Sequence, residues 1–103
     1  MDEPKKKETV IQDVIAAVEK GHLIPSLHAS ERMSERDIQF SDIEEAVYNA
    51  IREDSKDELT DDGTDWKYVI RGNNDNGDKD IRLVVVYLKD PKMLLITVID
   101  KNN

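Results

Sequence analysis

The chain contains no cysteine. That absence excludes disulfides, thiolate nucleophiles and thiolate metal ligands, and it suits a reducing compartment, so a cytoplasmic protein is expected. Aromatic residues are scarce, with one Trp, three Tyr and one Phe. Trp66, Tyr68 and Tyr87 are therefore expected to be the main bulky packing units of the core. Long hydrophobic runs are missing too. The longest, Leu83–Leu88 and Met93–Ile99, fall far short of the ~20 residues that a membrane-spanning helix needs, and no membrane partner is expected. Lys5, Lys6 and Lys7 are not followed by an apolar stretch, so the start does not read as a signal peptide.

Histidine is almost as rare. His22 and His28 would fall on different faces of a helix, which gives no His-based metal site. The loop Asn73–Asp80 has the composition of a calcium loop. However, placing Gly77 at the sixth position puts Gly72 at the first and Leu83 at the twelfth, and neither is a ligand. No phosphate-cradling glycine loop and no Ser/His/Asp arrangement is present. The expectation is a protein without metal or cofactor.

Charge is abundant but unevenly spread. The formal net charge is -8, and residues 37–65 alone hold 11 acidic and 2 basic side chains, a balance of -9. Residues 66–103 hold 7 basic and 5 acidic side chains. The overall field repels nucleic acid at long range, and any cationic site must be local.

The hydrophobic periodicity predicts helices first and strands after. Residues 1–8 read as a flexible tail, followed by a single domain over 9–103. Val10, Ile11, Val14, Ile15 and Val18 recur at helical spacing, with Lys20-Gly21 as a stop. Ser26 is a candidate N-cap for a helix to Arg36. Ser41 with Glu44 reads as a capping box for a third helix, whose stripe Ile43, Ala46, Val47, Ala50 and Ile51 runs to Arg52. An acidic connector, Glu53–Asp65, carries a short strand around Leu59. Strands are expected at Trp66–Arg71, Asp80–Leu88 and Lys92–Asp100, joined by polar turns and so antiparallel. The fold class is α+β, with two or three N-terminal helices on a C-terminal antiparallel sheet of three to four strands. The middle strand alternates Ile81, Leu83, Val85 and Tyr87 with Arg82, Val84, Val86 and Leu88; it is apolar on both faces and is expected to be central.

The segment His28-Ala29-Ser30-Glu31-Arg32-Met33-Ser34-Glu35-Arg36 is the most informative. On a helix His28, Arg32 and Arg36 form one stripe, because residues four apart share a face. Guanidinium forks suit phosphate oxygens, and imidazole is the side chain that moves protons near neutral pH. The competing reading is a solvated face on which Glu31 and Glu35 pair with the arginines.

Taken together, H-A-x-x-R-M-x-x-R from His28, W-x-Y-x-x-R-G from Trp66, the Val-rich strand and the T-V-I strand from Thr97 resemble a widespread family of small bacterial domains without an assigned function. That family is usually placed beside the RelE, BrnT and MqsR toxins, and the resemblance spans about residues 10–100. It implies a RelE-like fold and a metal-independent endoribonuclease or RNA-binding domain of a toxin–antitoxin system, held inactive by an antitoxin. The chain departs from the toxin pattern in being acidic, and Lys56, Lys67 and Lys101 match the toxins' prominent positions only loosely, so no toxin catalytic role is carried over onto them.

Cleavage through the 2′-hydroxyl needs a proton acceptor, a proton donor and cations around the phosphorane. His28, Arg32 and Arg36 are the candidate catalytic residues. Tyr68, Arg71 and Arg82 are the candidate substrate-binding residues, although a core role competes for Tyr68. The second functional expectation is a non-catalytic interaction module, an immunity or regulatory protein, whose acidic 37–65 segment docks a basic protein partner.

Overall fold

The structure, a computed structural model, describes residues 3–102. Helix α1 (Val10–Lys20) ends at Gly21, whose left-handed φ of 74° lets its N–H turn back to the helix carbonyls. Strand β1 (Leu23–Pro25) leads into α2 (Leu27–Glu35), where the Ser26 hydroxyl accepts the Ala29 N–H at 3.0 Å. Helix α2 stops at Asp37, which takes a left-handed φ of 54°.

Helix α3 (Phe40–Tyr48) begins and ends earlier than its apolar stripe suggests. Its first turn is closed by Asp42 accepting the Gln39 N–H at 2.9 Å, rather than by Ser41 and Glu44. Its end is set by Asn49, whose side chain donates to the Asn73 carbonyl and accepts the Asn73 N–H. The chain then becomes strand β2 (Ile51–Arg52), so Ile51 is 65% exposed instead of buried on a helix face. A 3-10 turn (Asp54–Lys56) and strand β3 (Glu58–Leu59) follow, the latter where the short strand near Leu59 was expected. The long strands are β4 (Trp66–Asn73), β5 (Asp80–Tyr87) and β6 (Met93–Asp100).

The fold is α+β, but the sheet is larger and more mixed than the sequence predicts. Among the described residues six strands run in the order β1-β6-β5-β4-β2, with β3 also on β4. Strands β4, β5 and β6 are antiparallel neighbours, whereas β1 lies parallel to β6, pairing Leu23–Pro25 with Met93–Leu95. Strands of two or three residues are too short to show alternation, which is why β1 and β2 are invisible in the pattern. As expected, β5 is central.

All three helices pack on one sheet face. The core joins Val10, Val14, Ile43, Val47, Tyr68, Ile70, Leu83, Val85 and Leu95, with Ala29 as the fully buried residue of α2. Residues 3–8 lie against β4: Trp66 Nε1 donates to the Pro4 carbonyl at 2.7 Å, and the Lys7 N–H donates to the Tyr68 hydroxyl at 2.8 Å. Among the described residues no helix is long and apolar enough to cross a membrane.

Gly72, the glycine of W-x-Y-x-x-R-G, marks the tightest approach of sheet and helix. A Cβ there would stand 2.0 Å from the Ala46 carbonyl oxygen of α3. The obstacle is backbone, which cannot rotate away. Gly72→Ala is therefore expected to destabilise the domain by about 2–3 kcal/mol, the upper range for overpacking. Urea denaturation measures this, and an unchanged midpoint would show that α3 can slide without loss.

Candidate functional site

The predicted stripe forms, and it faces a groove. Ala29 and Met33 anchor α2 on the core, and His28, Arg32 and Arg36 run along the flank of that buried face, beside β6. They line a groove of about 290 Å³ whose other wall is the C-terminal half of β6, including Thr97, Ile99 and Asp100. Pro25 and the Ser26 cap create this arrangement. They end β1 after three residues and start α2, which packs beside β6.

Arg32 sits 3.5 Å from Glu35, but both side chains are about half exposed, so this i,i+3 pair is weak. Glu31 makes no ion pair with either arginine. Among the described residues, the side chains of His28 and Arg36 have neither a hydrogen bond nor an ion pair. The groove thus gathers three basic side chains and one carboxylate, that of Asp100, on a chain of net charge -8. Thr97 and Asp100 are its contribution from outside the stripe. Thr97 opens the T-V-I segment, but only the tertiary packing of β6 beside α2 brings it to the same groove as His28.

Tyr68, Arg71 and Arg82 are not brought to this groove. Tyr68 is fully buried, its ring edge-to-face with Tyr87 at 5.7 Å, so the competing core role holds and no face is free for a base. Arg71 and Arg82 are cross-strand neighbours on the sheet face away from the helices. Two guanidinium groups side by side require counter-charges. Asp80 takes Arg71, and Glu53 takes Arg82 at 2.7 Å while lying 3.8 Å from Arg71. Arg82 also pairs in register with Ile99, one strand in from the groove, yet its fork is spent on Glu53.

The same contacts explain part of the acidic connector. The Asp57 side chain has no solvent exposure and accepts from Arg52, from Lys6 at 3.1 Å and from the Val69 N–H at 2.9 Å. Burial alone would push its carboxyl up, but Arg52, the Val69 N–H and Lys6 outweigh burial and hold it below the usual aspartate range. Hydrogen bonds from Arg82 hold Glu53 low, and those from Arg71 do the same for Asp80.

A larger cavity, about 630 Å³, lies between α1 and the β5–β6 turn. Its lysines Lys7, Lys20 and Lys92 are matched by Asp13, Asp65 and Asp90, so these side chains add no net formal charge to its lining. Asp13 already accepts the Tyr87 hydroxyl, and burial together with this carboxylate pushes the phenol pKa up. No group of three or more His, Asp or Glu side chains among the described residues is placed to hold a metal ion.

Fold and groove together define a small α+β domain with a cationic cleft between one helix and a sheet edge. The chain belongs to the family described as domain of unknown function (DUF4258), whose model matches residues 25–100. The match begins at Pro25, so it takes in both walls of the groove and leaves α1 outside. No curated protein and no solved structure matches the chain.

The low carboxyl pKa values have a sign. A carboxyl held low in the folded state adds stability above its ordinary range, and that stability is lost as pH falls through the lowered value. Unfolding free energy is therefore expected to fall as pH drops below about 4, the ordinary carboxylate range. Asp57→Ala, which strips Arg52 and the Val69 N–H of their acceptor, should cost about 2–4 kcal/mol at neutral pH. It should also flatten the acid limb of the profile. A loss below about 0.5 kcal/mol, the size of an ordinary surface change, would mean that Asp57 does not anchor the connector.

Proposed function

We propose that this chain is a toxin-type domain of the RelE/MqsR kind, a metal-independent endoribonuclease of a toxin–antitoxin system acting in the groove between α2 and β6. One observation carries the reading: His28, Arg32 and Arg36 converge on one open groove with Thr97 and Asp100. The family resemblance supports the class of activity.

In this reading the RNA 2′-hydroxyl attacks the adjacent phosphorus, the P–O5′ bond breaks, and the products carry a 2′,3′-cyclic phosphate and a 5′-hydroxyl. Arg32 and Arg36 neutralise the non-bridging oxygens, since a guanidinium fork matches two oxygens of one phosphate. His28 is the proton-transfer group, and Asp100 supplies a carboxylate on the other wall. Arg71 and Arg82 have no place in the mechanism, because their carboxylate partners would have to be displaced first.

The alternative, an acidic surface that docks a basic protein, is less supported. Glu53 and Asp57, two of the connector's carboxylates, point inward to arginines. Asp54, Glu58, Asp61 and Asp62 remain exposed and are what such a surface would consist of.

The test is cleavage of a single-stranded RNA by purified protein in the presence of EDTA, with the product ends identified. His28→Ala is expected to slow cleavage by roughly 10²–10⁴-fold, the usual weight of a general acid or base. Arg32→Ala should also impair it, and both variants should keep the wild-type thermal midpoint. Intact RNA with micromolar wild-type protein, or loss of activity only in step with unfolding, would sink the reading.

A further inference from the structure

Helix α1 does more than fill the core. Val10, Val14 and Val18 point into it, whereas Asp13, Ala16, Ala17 and Lys20 line the cavity of about 630 Å³. Those four stand at i, i+3, i+4 and i+7, one face of the helix. The two alanines carry too little bulk to reach the β5–β6 turn opposite, where Leu88 is 42% exposed. The space left is of the size that binds small molecules, about 300–1,000 Å³.

This helix face is polarised. At one end Asp13 accepts the Thr9 hydroxyl at 2.9 Å and the Tyr87 hydroxyl, both on Oδ2, so its Oδ1 has no donor among the described residues. The carboxylate is thus held in place with one acceptor oxygen spare. At the other end stands Lys20. Lys92 comes to the same end, because the Met93 N–H bonds to the His22 carbonyl at 3.0 Å. Among the described residues, none of the cavity's lysines or aspartates makes an ion pair. Opposite charges that line one space yet stay apart suit a ligand whose own charges are apart.

The separation can be gauged twice. From Asp13 to Lys20 the helix rises about 10 Å, at 1.5 Å per residue. Tyr87 and Leu23 both pair with Met93, from opposite sides, so they lie two strand spacings apart, again about 10 Å. An extended peptide spans about 3.3–3.6 Å per residue. Three residues fit that length, and a single amino acid cannot touch both ends.

We propose that this cavity binds a short apolar peptide of about three residues with both termini free. Its α-ammonium sits on Asp13, its α-carboxylate on Lys20 and Lys92, and its side chains over Ala16, Ala17 and Leu88. The site is separate from the α2–β6 groove and does not rest on the nuclease reading.

The probe is the tripeptide Ala-Leu-Val, titrated into the full chain and followed by the NMR signals of the two histidine rings. His22 lines the cavity and His28 the groove, so each ring reports one site. The His22 signals are expected to shift and those of His28 to stay. N-acetylated Ala-Leu-Val, its C-terminal amide and free leucine should each bind roughly tenfold more weakly or worse, the weight of one charge-assisted hydrogen bond. Asp13→Asn, which keeps an acceptor for Tyr87, should erase the discrimination against the acetylated peptide and keep that against the amide. Lys20→Gln with Lys92→Gln should do the opposite. Ala16→Leu, which fills the space, should abolish binding without lowering the thermal midpoint. No shift of His22 at millimolar tripeptide, equal affinity for the capped peptides, a shift of His28 instead, or unchanged binding by Ala16→Leu would each overturn the proposal. None of these readouts involves RNA, so the result stands whichever way the cleavage assay falls.

Discussion

Strand β5 is apolar on both faces, but helices cover only one of them. This imbalance governs much of the molecule. Ile81, Leu83 and Val85 point into a dry core under α1 and α3, while Val84 and Val86 stay half-buried on the other side. A 103-residue chain with five aromatic residues has little bulk with which to build a second layer. Its substitute is polar. The 53–57 segment folds back over β4, where Val69 is only 5% exposed, and is clamped there by carboxylate–guanidinium contacts. Such contacts gain little at a fully exposed surface. They gain more here, where the Asp57 side chain is shielded from water and its acceptor positions are filled.

This clamp changes the meaning of the acidic connector. Read as a string, Glu53–Asp65 is a solvated charge run with one lysine. In the folded chain its first carboxylates are the counter-charges of Arg52, Arg71 and Arg82, which stand on different strands. The pairs of Glu53 with Arg71 and with Arg82, the latter 29 positions apart, leave no periodic trace, so no spacing argument reaches them. For the same reason Arg71 and Arg82 look like free phosphate binders in the sequence when they are spent on the fold.

What the sequence does show is local. The α2 stripe was legible because a four-residue spacing has one meaning on a helix, and the Ser26 cap fixes where that helix starts. The alternation of Ile81, Leu83 and Val85 with Arg82, Val84 and Val86 was legible because alternation has one meaning on a strand, and burial of the first three agrees with it. The boundary of α3 was not, because Ala50 and Ile51 continue the helical period and only the Asn49 clasp on Asn73 interrupts it. The groove needed both kinds of information. Its cationic wall is a local pattern, whereas its opposite wall depends on a parallel pairing of three residues that no pattern announces.

The arrangement also resolves how an acidic chain can hold a cationic site. The connector attaches along β4 and β2, and the groove lies at the β6 edge, with β5 between them. Strands are spaced about 4.8 Å apart, so carboxylates at the β4 edge stand on the order of 10 Å or more from the stripe. At physiological salt the screening length is about 8 Å. The excess negative charge therefore weakens the approach of an anion more than it weakens the contact once made. A site of this kind gains affinity from short-range partners such as guanidinium forks rather than from long-range attraction.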